Sequence, residues 1–399
     1  MTPITTDVLV SGGGVAGLTA AVAFAANGYE VLCVDPATPV TEEAARGTDL
    51  RTTAFLQPAR QFLLECGLWQ RLEPHAAPLQ VMRIVDAGGP TPEARLIRDF
   101  DAADLSDLPF GWNVPNWLLR RELLARLDEL PNVRFQPGVA TRDVLTRETE
   151  ARVSLTDASQ VSARLLIAAD GRNSPVRNAL NIAAKTTRYG QKALAFSVTH
   201  PIPHENVSTE IHRSGGPFTL VPLPDRDGKP CSAVVWMERG PEAKRLQALP
   251  VAEFEAEMSA RSTYLLGPLT LASRRSIWPI ISQFAERMSA QRSVLMAEAA
   301  HVVPPIGAQG LNMSLADLRV LLDLARTGPE ELGGRHMVDA YHRKRYADVR
   351  LRVAGIDMLN RASMLGGQAL RDMRANALNA LYAVAPLRKT LMRAGLGTR

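Results

Sequence analysis

Three cysteines in 399 residues, Cys33, Cys66 and Cys231, are too few and too scattered for a disulfide framework, and without a Cys-x-x-Cys they make no zinc ribbon. That usage fits a reducing cytoplasm. There is no Gly-x-Ser-x-Gly elbow and no Walker pattern, so the commonest hydrolase and P-loop signatures are excluded. Repeats and low-complexity segments are absent as well. Charge is nearly balanced, 46 Lys and Arg against 41 Asp and Glu. With 46% hydrophobic and 22% charged residues, the chain is not disordered, collagen-like or a multi-pass membrane protein. A chain of this size can bury roughly 75% of its unfolded surface, enough for more than one domain. The uncharged stretch from Val8 to Tyr29 has the length of a signal peptide or spanning helix, but no basic side chain precedes it and Gly12-Gly13-Gly14 interrupts it.

What is present reads first as α/β. An apolar run, Asp7–Ser11, leads through a glycine turn into an Ala-rich helix from Val15 to Asn27 and a second run, Glu30–Asp35. Leu118–Leu130 has helical periodicity, and Asn132–Gln136 and Val161–Ala169 read as strands. From Lys192 to Met237 the pattern changes to short strands, Ala193–Thr199, Val207–Arg213, Phe218–Leu223 and Cys231–Met237. A turn-rich Pro224–Pro230 between the last two predicts a hairpin in an inserted antiparallel sheet. The α/β pattern returns with a strand at Ser293–Ala297 and a helix from Asn312 to Arg326, and the tail from Met337 is helical, broken at Gly366-Gly367 and Pro386.

Gly12-x-Gly14-x-x-Gly17 follows a strand and opens a helix, and Asp35 stands at the end of the next strand. Gly12 makes the tight turn, Gly14 lets a pyrophosphate approach the backbone, and Gly17 lets helix and strand pack closely. The helix N-terminus offers free N–H groups to the phosphates, and Asp35 suits a ribose hydroxyl. This motif specifies a dinucleotide without separating FAD from NAD.

Two later stretches, Ala169-Asp170-Gly171-Arg172-Asn173-Ser174 and Ala297-Glu298 through Pro305-Ile306-Gly307-Ala308-Gln309-Gly310-Leu311-Asn312, resemble fingerprints of the flavin-dependent aromatic hydroxylases related to 4-hydroxybenzoate hydroxylase. Tyr189-Gly190-Gln191, Gly216–Leu223 and Tyr341-x-x-x-Arg345-x-x-Asp348 also match, and the resemblance is nearest the branch that hydroxylates prenylated rings in ubiquinone biosynthesis. It implies an α/β fold: a Rossmann-like FAD-binding domain (1–75, 113–182 and 278–330), an inserted antiparallel-sheet substrate domain (76–112 and 183–277) and a helical C-terminal region (331–399). It also implies that Gly12, Gly14, Gly17 and Asp35 hold the FAD pyrophosphate and ribose. Arg51 would lie along the cofactor, Asn116 by the flavin, and Asp170 in the region shared with passing NAD(P)H. Glu298 would hold the ribitol, and Pro305, Gly307, Ala308, Gly310 and Asn312 would lead into a helix whose amides face the flavin ring. The implied reaction is hydroxylation of a polyprenylated phenol with FAD as bound cofactor and NAD(P)H as transient co-substrate, through a flavin hydroperoxide. A hydroxylase of a soluble aromatic compound, and a noncatalytic scaffold in a quinone-biosynthesis assembly, stay open.

The sequence departs from this pattern at Ala297-Glu298, where Gly-Asp is usual, and at Ala308, where Gly is common. No protein general base can be named. His301 reads as a structural, hydrogen-bonded residue. His200, His204 and His212 read as loop histidines, since no Cys or acid completes a ligand set, and no metal is expected. Six basic residues, Arg371, Arg374, Arg388, Lys389, Arg393 and Arg399, face Asp372 alone in the last 32 residues, 368–399, with leucines and methionines among them. That composition suits either a basic amphipathic helix in peripheral contact with an anionic inner membrane or a helix packed on the FAD domain with a solvated basic face. No nucleic-acid motif accompanies the charge.

Overall fold

The computed structural model describes residues 3–89, 91, 93–213, 215–364 and 368–396. The first sheet carries the strands in the order Ser289–Ala290, Ser293–Leu295, Gln160–Ala168, Ile4–Ser11, Val31–Asp35 and Val133–Pro137, parallel along this path in all but the first pairing, with Ala151–Leu155 and Thr141–Thr146 added antiparallel beside Gln160–Ala168. Strands covered on both faces need continuous apolar runs. Val8, Leu9, Val10 and Leu165–Ala168 supply them and are wholly buried. The helix Val15–Ala25 is buried from Gly17 to Ala25, packed against this sheet and the helices Asn116–Asp128 and Gln309–Thr327. Its alanines permit that close approach.

The second sheet runs His301–Val302, Ser276–Ala285, Ala184–Thr199, Lys229–Arg239, Pro217–Arg226, Val207–His212, Val81–Asp86 and Leu96–Asp101, antiparallel except where 207–212 meets 81–86. The hairpin is real but tighter than the turn-rich stretch suggests. Only Asp227 and Gly228 separate its strands, both at positive φ (51° and 72°), the two-residue turn whose twist matches the strands. One sheet face places Leu194, Phe196, Ile211, Phe218, Val234 and Trp236 beneath the helices Gly240–Ala248 and Val251–Arg261. The other face sends Ala193, Met237 and Ile280 into the core cluster of the first sheet. Ser276–Ala285 belongs to this second sheet, so the division expected at residue 278 falls inside a strand.

A small third sheet, Thr52–Leu56, Gly111–Pro115 and Ala77–Leu79, bridges the two. The tail forms helices Arg335–Ser363, Gln368–Ala383 and Ala385–Leu396. The expected break at Gly366-Gly367 lies outside the described residues, and Pro386 stands in the first turn of the last helix, where a missing N–H costs nothing. The last two pack on the outer strand of the second sheet and the turn after it, through Phe100 against Tyr382 and Arg388 to Asp104 (3.3 Å), while Arg335–Ser363 packs on the helix Gln309–Thr327.

Candidate functional site

The glycine turn is built from two kinds of requirement. Gly12 has φ +111°, and a Cβ on it would stand 2.4 Å from the Ala169 carbonyl oxygen; a Cβ on Gly17 would stand 1.8 Å from the Gly12 oxygen. Both are demands of the fold. Gly14 differs, because a Cβ there would meet nothing within 4 Å. Its lack of a side chain serves no protein contact and leaves a cradle at the N-terminus of the helix Val15–Ala25. Asp35 accepts hydrogen bonds from Gly13 N (2.6 Å) and Ala37 N (2.8 Å), which locks the second strand onto the turn. Asp170 lies against Gly12 from the Gln160–Ala168 side. Its Oδ2 accepts from Val176 N (3.1 Å), while Oδ1 is buried with no hydrogen-bond partner among the described residues. Burial raises its carboxyl above the ordinary range. An orphaned acceptor beside an open glycine cradle is what a dinucleotide would complete, so these residues fit FAD.

Arg51 reaches Asp49 through Nε and Nη2, both 2.8 Å, and its guanidinium stands 5.5 Å from the centre of the Trp278 ring. Asn116 donates to Asp49 (3.1 Å) and accepts from the Thr53 hydroxyl (2.8 Å), so its amide orients Asp49. Burial would raise the Asp49 carboxyl, but Arg51, Asn116 and Arg120 outweigh it and hold the group below the usual range. Asp49 has no motif around it, and sequence reading missed it. Between this cluster and the second sheet lies a cavity of about 300 Å³, lined in part by Leu50, Thr52, Pro115, Ser197, Leu223 and Cys231. That is the lower end of the range for small-molecule pockets.

The third stretch keeps its backbone in spite of its departures. Ala297 (φ +52°) and Ala308 (φ +55°) both occupy the left-handed region that the expected glycines would adopt freely. Ala297→Gly and Ala308→Gly are each expected to raise stability by about 0.5–1 kcal/mol, read as a higher denaturation midpoint. An unchanged or lower midpoint in both would remove the argument from strain. Asn312 donates to Ala308 O (2.6 Å) and Ala54 O (2.7 Å) and accepts from Leu56 N (3.0 Å), tying the loop to the Thr52–Leu56 strand. Glu298 is paired with Arg172 (3.1 Å), which joins the second and third stretches. Gln309 receives a hydrogen bond from Arg352 (3.1 Å) and donates to Gly307 O (2.9 Å) and Gly395 O (3.0 Å), so the last helix touches the loop. Pro305 is exposed at the loop's start and Gly310 opens the Gln309–Thr327 helix.

Behind the loop, His301 Nε2 meets Asp317 Oδ2 at 2.6 Å, and Arg345 donates to Asp317 (2.7 Å) and Asp348 (2.8 Å). His301 and Asp317 are essentially inaccessible. The rings of His200 and His204 are engaged by the fold: His200 bonds Ser232 (2.9 Å) and Ile202 O (2.8 Å), and His204 bonds Leu223 O (3.1 Å). His212 is not in a loop as expected; it ends the strand Val207–His212 and pairs with Glu210 at 2.8 Å. Among the described residues no group of three His, Cys, Asp or Glu side chains could hold a metal ion.

Gly12, Gly14, Gly17, Asp35 and Asp170 thus converge, Arg172 links the second stretch to Glu298 of the third, and Asn312 ties the loop to the strand that follows Arg51. A profile of the FAD binding domain family matches residues 5–354. The chain is 32% identical over 397 residues to ubiquinone hydroxylase UbiL of Rhodospirillum rubrum, covering 98% of this chain and 90% of that one. It is 24% identical over 400 residues to the 3-demethoxyubiquinol 3-hydroxylase of Escherichia coli, covering both chains completely. The crystal structure of p-nitrophenol 4-monooxygenase PnpA from Pseudomonas putida superposes with a TM-score of 0.80 at 18% identity over all of both chains, which establishes the fold.

Proposed function

Because the chain belongs to the FAD binding domain family, we propose that it is an FAD-dependent, NAD(P)H-using monooxygenase that hydroxylates the ring of a polyprenylated phenol in ubiquinone biosynthesis. The observation that carries this reading is the near full-length similarity to a ubiquinone hydroxylase, in a chain whose Gly14 cradle and unpaired Asp170 oxygen are ready for a dinucleotide. Gly12, Gly14 and Gly17 shape the pyrophosphate turn, Asp35 stands at the ribose, and Arg51, steadied by Asp49 and Asn116, neutralises phosphate charge. Glu298, Pro305, Gly307, Ala308, Gly310 and Asn312 form the wall around the ring end, with helix amides directed at it. Bound FAD would supply the redox chemistry, drawing electrons from NAD(P)H and delivering one atom of O₂ to the substrate. The chain's part is to bind, orient and exclude water, with the parallel-sheet portion holding cofactor and the second sheet from Ser276 onward included in the substrate half.

The test is to load the purified protein with FAD and supply NAD(P)H, ¹⁸O₂ and a 2-polyprenylphenol. A product carrying one labelled oxygen is expected. Turnover of small aromatics alone would favour a soluble substrate, and a protein that takes up no FAD would favour a scaffold.

No described helix is long and apolar enough to cross a membrane. A substrate with a polyprenyl tail must still be collected from lipid, and the tail helices suit that task. Of fourteen exposed large hydrophobic side chains among the described residues, seven lie between Leu351 and Leu391, interspersed with Arg350, Arg361, Lys389 and Arg393. We assign this surface a peripheral contact with anionic lipid. Lys389→Ala with Arg393→Ala should weaken flotation with phosphatidylglycerol vesicles about thirtyfold, at roughly 1 kcal/mol per basic residue, and leave FAD content unchanged. Equal flotation of both proteins would remove the surface from the reading.

A further inference from the structure

The outer edge of the first sheet carries a second cavity, of about 790 Å³, more than twice the volume of the one beside Asp49. That is an ordinary size for a small-molecule site. Its walls are the segment 180–183, the edge strand Ser289–Ala290, Arg292, and the first turn of the helix Arg335–Ser363. Arg292 stands before the strand Ser293–Leu295, and Ala297 of the cofactor stretch stands beyond it. The three residues rise about 10 Å. Cofactor sites in such sheets lie at the carboxyl ends of the strands, so a cavity at the amino end is a separate place.

The cavity gathers cations that the fold leaves short of anions. Arg292 donates through Nε to Glu148 O (2.7 Å) and through Nη1 to Leu332 O (2.9 Å), both carbonyls. Its Nη2 has no hydrogen-bond partner among the described residues, and the half-buried side chain lines the cavity. Burial, with the like charge of Arg164 added, holds its guanidinium pKa below the ordinary value. An anion beside it offsets that cost. Arg287 and Arg335 approach Asp339 at 3.9 and 3.7 Å, longer than the 2.7–2.9 Å or so of a charge-assisted hydrogen bond. Glu148 and Glu286 also line the cavity, but they are exposed and form no ion pair with these arginines among the described residues.

Two more features border the same space. Ser289 lines it, is only 1% exposed, and its hydroxyl has no hydrogen-bond partner among the described residues. A buried hydroxyl without a partner calls for one. The helix Arg335–Ser363 begins there on Gly334, which has no side chain to cap it, and carries no acid in its first turn. The Glu331 carboxylate lies beside Gly334, yet it takes no hydrogen bond from a helix amide. Free amides at a helix start favour an anion. Leu180, Ile182 and Val338 give the remaining wall an apolar character.

We propose that this cavity binds a phosphorylated small molecule, with the phosphate on Arg287, Arg292, Arg335 and the helix amides and the carbon body on Leu180, Ile182 and Val338. Three guanidiniums and a helix start offer more donors than the two oxygens of a carboxylate accept, and they suit the three terminal oxygens of a phosphate monoester. The same head group occurs on nucleotides and on isoprenoid phosphates. The site does not depend on the hydroxylase reading.

Calorimetric titration of the FAD-loaded protein with inorganic phosphate, adenosine monophosphate and geranyl monophosphate tests this. Saturable binding of at least one ester, tighter than inorganic phosphate, is expected, and the tighter ester identifies the body. Arg292→Gln should weaken that binding about thirtyfold and leave FAD content unchanged. Arg287→Gln, at a side chain 59% exposed and only loosely paired, should weaken it about fivefold and carries the test if Arg292→Gln fails to fold. Gly14→Val should bind the ester as the wild type does. Loss of binding in that variant would place the probe in the cofactor turn and overturn the assignment. So would the absence of saturable binding, or equal affinity in the wild type and the arginine variants. Inorganic phosphate held as tightly as both esters would reduce the cavity to an adventitious anion site and overturn it as well.

Discussion

Gly14→Val is expected to fold and to lose its hold on FAD. The branched side chain enters a region with no atom within 4 Å of its first carbon, so the chain has no packing reason to reject it. What it fills is the approach of the pyrophosphate to the backbone amides, and binding should fall by at least about 10²-fold, or roughly 3 kcal/mol. Gly17→Ala should do the reverse. Its one methyl falls 1.8 Å from the Gly12 carbonyl oxygen, within backbone that cannot yield, and the expected loss is of the folded state itself. Flavin absorbance per protein and far-ultraviolet circular dichroism, measured on both variants, separate the outcomes. Normal FAD content in Gly14→Val would displace the pyrophosphate from this turn.

Asp317→Ala should be among the most damaging single changes outside the cofactor turn. The residue is fully buried, with one oxygen on His301 and the other on Arg345, whose side chain is 7% exposed. Removing the acid leaves His301 without its carboxylate and the buried Arg345 with only the half-exposed Asp348, and breaking such a buried pair costs about 3–5 kcal/mol. The loss should appear as a lower urea midpoint, and adding FAD should restore only part of it. Arg345→Met, which removes the cation but leaves Asp317 on His301, should cost less. If Asp317→Ala and the wild type unfold together, the cluster contributes nothing to stability.

The difference between these sites mirrors what a linear sequence can convey. The glycine turn was legible because each demand is local: Gly12 must adopt positive φ, and Gly17 must clear an oxygen five residues earlier. The parallel strands were legible because burial on both faces writes continuous apolar runs such as Val8–Val10. Strands 81–86 and 96–101 were not, because they join the second sheet only through the pairing of 81–86 with 207–212, more than a hundred residues away. Strand 184–199 begins well before its apolar run at Ala193, because an irregularity between Arg188 and Lys192 breaks the alternation. Asn116 was placed near the flavin by the family resemblance alone. Its orienting of Asp49 depends on a contact across 67 residues. His212 was set beside His200 and His204 as a loop histidine. Val207–Arg213 already read as a strand, so the alternation that sets Glu210 and His212 on one face was available, and what the structure adds is that the two side chains pair.

The bond from Gln309 to Gly395 has a further consequence. One residue of the cofactor loop and one of the terminal helix answer to the same side chain, so two distant events share an equilibrium. By thermodynamic reciprocity, any factor by which cofactor occupancy alters the grip of the tail on a bilayer is the factor by which the bilayer alters cofactor affinity. If the tail meets lipid as proposed, phosphatidylglycerol vesicles should shift the affinity for FAD, and FAD the affinity for vesicles, by one and the same factor.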